Sequence, residues 1–161
     1  MKRPNKHSKV DPNWDSRVRG SFMRQGLMKH LGAELMALRQ GECEIHVPYR
    51  EELTQQHGYF HAGVTAAIAD TACGYAAYSL MPVDHSVLTV EYKINLVAPA
   101  AGESLVARAR VVRSGNTLKI CAADVFAVKD GAETLCATTL STIMALAGKA
   151  DAPPSPRPKP H

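Results

Sequence analysis

Residues 62–81, AGVTAAIADTACGYAAYSLM, restrict the fold more than any other part of the chain. They are long enough for about five helical turns, and Pro82 prevents the helix from continuing. The segment is alanine-rich and has no polar stripe at the helical period, so it must be covered on most sides. Its one formal charge is Asp70. A helix of this kind cannot lie on a surface, so the rest of the chain has to wrap around it.

The sequence on either side supplies strands to do so. Beyond Asp84 the pattern changes to a period of two. Leu88, Val90, Tyr92, Ile94 and Leu96 alternate with Thr89, Glu91, Lys93 and Asn95. Leu105, Ala107, Ala109 and Val111 continue after a turn at Pro99 and Gly102. After Ser114-Gly115-Asn116, the positions Leu118, Ile120, Ala122, Asp124, Phe126 and Val128 read as one face of a further strand. Asp130-Gly131 is a hairpin signal, and a last strand runs from Thr134 to Leu146. Consecutive long strands joined by turns imply an antiparallel meander. Upstream, residues 13–29 read as a helix with Trp14, Val18 and Phe22 on one side, although Gly20 and Gly26 weaken it. Two short strands follow, over residues 33–38 and 42–47. The plan is α+β: a sheet of five to six antiparallel strands around one long central helix.

The outer segments differ in composition. Residues 1–12 are basic and polar and read as a disordered leader, and residues 149–161, KADAPPSPRPKPH, hold five of the ten prolines and read as a disordered or polyproline tail. A single domain over residues 13–148 remains. Residues 1–9 carry +4 and residues 149–161 carry +2, so with a net charge of +4 the middle stands at −2, which argues against nucleic-acid binding. Cys43, Cys73, Cys121 and Cys136 form no C-x-x-C pair and have no histidine at zinc spacing, so buried reduced thiols are expected and no metal site. No secretory leader and no membrane span is legible. The expectation is a cytoplasmic protein.

Asp70 is the residue most in need of an explanation. Aspartate is a poor helix-interior residue, and burying its carboxylate costs several kcal/mol unless something compensates. Either a structural partner holds it, such as a serine, threonine or histidine, or it performs chemistry. The preceding loop, Gln55-Gln56-His57-Gly58-Tyr59-Phe60-His61-Ala62-Gly63, crowds polar and flexible residues against the helix start. Free N–H groups and the positive end of the dipole there suit a carbonyl oxygen turning into an oxyanion. Ala62 and Asp70 are eight residues apart, about 12 Å along one helix. One reacting carbon cannot meet both within one straight helix, whereas two such helices antiparallel across a twofold axis could bring the end of one near the middle of the other.

Residues 55–70, QQHGYFHAGVTAAIAD, together with the later SVLTVEYKINLVAPA, resemble the PaaI-like hotdog-fold acyl-CoA thioesterases over roughly residues 16–147. The resemblance implies a hotdog fold, assembly as a homodimer or homotetramer, and hydrolysis of acyl-CoA thioesters without metal or cofactor. It implies Asp70 as nucleophile or general base, the Ala62 N–H as oxyanion donor where many members have glycine, and His61 and Gly63 flanking that donor. Gln55 and Thr89 would orient the water or the thioester. It implies substrate contacts from the loop residues His57, Gly58, Tyr59 and Phe60, and CoA contacts from the Arg113-Ser114-Gly115-Asn116 turn. His57 and His61 could instead be bases, although shaping the loop by hydrogen bonds is the favoured reading. Cys73 reads as packing. Two alternatives stay open: a hydroxyacyl thioester dehydratase on the same fold, and a non-catalytic acyl-CoA binder. Neither aromatic nor short- or medium-chain acyl groups are favoured.

Overall fold

The computed structural model describes residues 11–152. The disorder expected for residues 1–10 and 153–161 lies outside the described residues. Elements follow in the order α1 (Trp14–Met23), α2 (Gly26–Leu31), β1 (Glu34–Arg39), β2 (Glu42–Pro48), α3 (Ala62–Tyr78), β3 (His85–Leu96), β4 (Ser104–Ser114), β5 (Leu118–Lys129) and β6 (Ala132–Ala147), with one 3-10 turn at Glu51–Leu53. The six strands form one antiparallel sheet in the order β1-β2-β4-β5-β6-β3. α3 packs along one face of it and touches every strand from β2 to β6. This is the hotdog fold.

The helix and the sheet approach closely because both present small side chains. On the sheet these include Cys43, Ala107, Ala109, Cys121, Ala123, Ala127, Ala137 and Ala145; on α3 they include Ala69, Ala72, Cys73 and Ala76. Ile45, Val47, Ile68, Leu105, Val125 and Ile143 fill the remainder and are fully buried. Each such aliphatic side chain contributes about 1.5–3 kcal/mol by leaving water. All four cysteines are free and buried.

Three features depart from the sequence expectations, and the buried face of β5 adds a fourth point that alternation alone left open. The segment 13–29 breaks into two helices at Gln25, whose extended backbone precedes Gly26. α3 ends at Tyr78 rather than 81. Leu80 and Met81 bond three residues back, and Ser79 Oγ accepts the Gly41 N–H at 2.7 Å, tying the unwinding end to the β1–β2 turn. The first long strand is not beside the second. β3 crosses to the far edge and pairs with β6, so only β4-β5-β6 form the meander. On β5 the face toward α3 is the odd-numbered one, Cys121 to Ala127, and the bulkier Leu118, Ile120 and Phe126 look outward. A sheet hugging an alanine helix takes its small residues inside, so side-chain size misleads about which face is buried.

Asp11, assigned from sequence to the leader, is 7% exposed. Its carboxylate takes Arg17 Nε at 2.8 Å, and the same guanidinium lies over the Tyr78 ring and donates to the Met81 carbonyl. The ordered structure therefore already includes residue 11, because the α1 arginine needs a buried counter-charge.

Candidate active site

The start of α3 is built by the loop before it. Thr54 bridges Phe60, the Gln55 N–H donates to the Tyr59 carbonyl at 2.9 Å, and Gly58 takes a positive φ of 81° at the tip. Phe60 is buried against Tyr49, and its N–H reaches the Ala100 carbonyl at 3.0 Å, fastening the loop to the β3–β4 connection. His61 is the N-cap of α3. Its Nδ1 accepts the Gly63 N–H at 2.8 Å. A β-carbon at residue 63 would stand 3.0 Å from that ring nitrogen, so glycine keeps the cap in place. The capping bond uses the Gly63 donor. Among the described residues no acceptor takes the Ala62 N–H, which opens outward at the positive end of the helix.

Ala62 lines a cleft of about 430 Å³ together with Gln55, Tyr59, Phe60, Thr65 and residues 96–100. The Gln55 side-chain oxygen accepts the His57 N–H, which leaves the amide NH₂ as the group it can offer. His57 and Gly58 stand exposed at the loop tip and do not line this cleft. His61 and Gly63 border a separate hollow of about 310 Å³ between α2 and α3.

Asp70 sits two turns further along α3, in a third cleft of about 400 Å³ with Gln25, Gly74, Tyr75, Val87 and Thr89. It is half-buried, and its Oδ1 accepts the Thr89 hydroxyl at 2.8 Å. Burial pushes its carboxyl above the ordinary 3.8, and the Thr89 bond opposes that in part. No basic side chain bonds it among the described residues. Thr89 reaches Asp70 because of a β-bulge. Thr89 pairs with Ile143 and Glu91 with Thr142, so Val90 is an extra residue. The bulge reverses the alternation and places Val87, Thr89, Tyr92 and Ile94 on the helix side together, where strict period two would set Thr89 opposite Tyr92.

Asp70 and Thr89 are therefore brought together, as are Gln55, Tyr59, Phe60 and Ala62, but the two groups occupy different clefts of one chain. Arg113, Ser114, Gly115 and Asn116 form the β4–β5 turn and line neither cleft. The turn lies at the end of the sheet where β3 begins, since Leu118 and Leu88 both pair with Met144. Burial holds the Cys73 thiol up at about 12, so it stays protonated beside Asp70.

The sequence reading passed over two residues in this region. Lys119 is 3% exposed, and its ammonium donates to the Gly115 carbonyl at 3.1 Å, bracing the β4–β5 turn. Burial lowers its pKa. Its odd position, in step with Cys121 and Ala123, was the available signal. Thr65 is buried in the Ala62 cleft with no partner for its hydroxyl among the described residues. Nothing in the sequence separates it from the alanines around it.

Among the described residues no helix is long and apolar enough to cross a membrane, and no group of histidine, cysteine and acidic residues could hold a metal ion. Comparison with known proteins agrees with this architecture. The thioesterase superfamily profile matches residues 57–134. A crystal structure of a thioesterase family protein from Silicibacter pomeroyi is 47% identical, with a TM-score of 0.83 over 84% of this chain and 99% of that one. The PaaI protein of E. coli shares the fold at 18% identity, with a TM-score of 0.76 over 88% of this chain and 99% of its own. The 1,4-dihydroxy-2-naphthoyl-CoA hydrolase of Listeria monocytogenes is 24% identical over 59% of this chain and 77% of its own length. With its helix-wrapping sheet and its carboxylate on the central helix, this chain belongs to the thioesterase superfamily, with the PaaI-like hotdog fold.

Proposed function

We propose that this protein hydrolyses acyl-CoA thioesters to free acid and CoA at sites shared between two copies of the chain. The placement of the two clefts carries this reading. One holds the free Ala62 N–H and meets β3 at its end, residue 96 onward; the other holds Asp70 and meets β3 at its start, residues 87–89. β3 is an edge strand of 12 residues, and Leu88, Val90, Tyr92 and Leu96 along it are each about half exposed. A long apolar edge of this kind calls for a partner strand. If β3 pairs antiparallel with its copy across a twofold axis, the end of one strand lies beside the start of the other. Each Ala62 cleft then merges with the partner's Asp70 cleft.

In the merged site the thioester carbonyl oxygen accepts from the Ala62 N–H, with the helix dipole favouring negative charge. The Gln55 amide steadies the thioester or the water. Asp70, aligned by Thr89, either takes a proton from water as that water attacks the carbonyl carbon or attacks it directly to form an anhydride that water then opens. The tetrahedral oxyanion collapses, the carbon–sulfur bond breaks, and the CoA thiolate leaves and is protonated. Arg113 and Asn116, at the sheet end near the start of β3, stand where a CoA phosphate could be met. The four unpaired thiols suit a reducing, cytoplasmic compartment.

A dehydratase needs a histidine base in the cleft. Here His61 Nδ1 is engaged in the cap and His57 lies outside the cleft, so hydrolysis is the reading kept. A screen of free-thiol release over aromatic and short- to medium-chain acyl-CoAs tests it. Saturable, enzyme-dependent thiol release on at least one class is expected. Tight binding of acyl-CoA with no thiol released above background across the panel would mean a binding protein instead.

A further inference from the structure

Thr65 is 1% exposed, and its hydroxyl has no hydrogen-bond partner among the described residues. A threonine inside a helix ordinarily returns its hydroxyl to the carbonyl of the preceding turn. Here that carbonyl, His61, already accepts the N–H of Val64 at 2.9 Å and of Thr65 at 3.3 Å. Thr65 lines the same cleft as Gln55 and Ala62, and the surrounding wall is mostly apolar, with Phe60, Leu96, Val97 and Pro99. A buried hydroxyl left unpaired weakens a fold, whereas a valine of the same shape would not. Such a group persists where a ligand completes it.

We propose that Thr65 is a specificity-determining residue whose hydroxyl hydrogen-bonds an oxygen on the acyl group, so that hydroxyacyl or oxoacyl thioesters are preferred over plain hydrocarbon ones. This rests on the hydrolase reading above. Thr65 stands three residues beyond Ala62, a rise of about 4.5 Å. With the thioester carbonyl on the Ala62 N–H, a turn of the Thr65 side chain about its Cα–Cβ bond brings the hydroxyl, enclosed in the single chain, to an atom a few bonds further along the acyl chain. A site with a buried polar group rejects the analogue lacking its partner, because the group is then left unbonded.

The test compares wild type, Thr65→Val and Thr65→Ser on two substrate pairs, 3-hydroxybutyryl-CoA with butyryl-CoA and 3-hydroxybenzoyl-CoA with benzoyl-CoA. Calorimetric binding of the matching non-hydrolysable CoA thioethers is measured alongside. In at least one pair, wild type is expected to favour the oxygenated member by about tenfold in kcat/KM and in Kd. Thr65→Val should erase the preference while melting no lower than wild type, and Thr65→Ser should retain it. The preference of wild type itself is read without any variant, so a Thr65→Val protein that fails to fold leaves the wild-type and Thr65→Ser results to decide. An absent preference in wild type, a preference that survives in Thr65→Val, or an equal slowing of both members by Thr65→Val would overturn the proposal. If the binding preference depends on Thr65 but no thiol is released, the hydrolase reading fails and the Thr65 contact stands. If thiol is released with a preference indifferent to Thr65, the reverse holds.

Discussion

Replacing Asp70 with asparagine is expected to cut thiol release from acyl-CoA by at least about a hundredfold while the protein folds and assembles as before. The substitution keeps the shape, and the asparagine oxygen can still accept the Thr89 hydroxyl that now holds the carboxylate at 2.8 Å. It removes the one acidic side chain on the central helix, and with it the nucleophile or base. The same carboxyl sets the acid limb of the rate. Burial raises its pKa above 3.8, so activity should fall as the pH drops through a value higher than that of an ordinary aspartate. The stability effect has the opposite sense. The folded state holds the Asp70 proton where the unfolded chain has released it, so this residue's contribution declines as pH rises from 3.8 through the folded-state value and stays low above it. Asp70→Asn should therefore melt no lower than wild type at neutral pH, and higher if the ionised carboxylate is a burden there. Steady-state thiol release over a pH series, with melting curves for both proteins, checks all three statements. An Asp70→Asn protein with near-normal turnover would remove Asp70 from the chemistry.

Placing lysines on the free edge of β3, as Val90→Lys with Tyr92→Lys, should separate the protomers and reduce thiol release to the level of Asp70→Asn. Both side chains are about half exposed on the single chain and lie near mid-strand. A twofold pairing centred near mid-strand would bring the added lysines of both copies close together, and like charges facing across paired strands destabilise the pair. Lysine on an edge is also the usual means of preventing strand addition. Sedimentation should report a monomer with the wild-type far-ultraviolet spectrum. A monomer that hydrolyses thioesters at the wild-type rate would show that one chain suffices.

The central helix was legible because three signals coincided: an alanine-rich run without a polar face, one aspartate inside it, and Pro82 behind it. The loop was legible through Gly58 and the polar run ahead of Ala62. The strand order was less so. Alternation identifies β3 and β4 as strands, but nothing in residues 97–103 tells a hairpin from a crossing to the far edge; that choice is made by pairing with β6, which comes 35 residues after β3 ends. The bulge at Val90 was also hidden, since Leu88 to Leu96 read as an unbroken period of two. Thr89 thus appeared on the face away from Tyr92 and Ile94, and only the extra residue returns it to Asp70. On β5 alternation separates the two faces but does not say which is buried; packing against an alanine helix selects Cys121 and Ala123 over the bulkier Leu118 and Phe126. The role of His61 as a cap depends on the direction of its ring nitrogen, which no spacing encodes.

Subunit complementation tests the shared site directly. Ala62→Pro removes the oxyanion N–H at the first helical position, where proline is tolerated, and the His61 backbone, at ψ 140°, already suits a following proline. Ala62→Pro and Asp70→Asn proteins, each inactive alone, are unfolded together and refolded as an equal mixture. If each site draws its amide from one protomer and its carboxylate from the other, half the dimers carry one intact site, and thiol release returns to about a quarter of the wild-type level. A mixture that exchanges subunits and stays as inactive as its parts would place the amide and the carboxylate of each site on the same chain, and the shared site would be refuted.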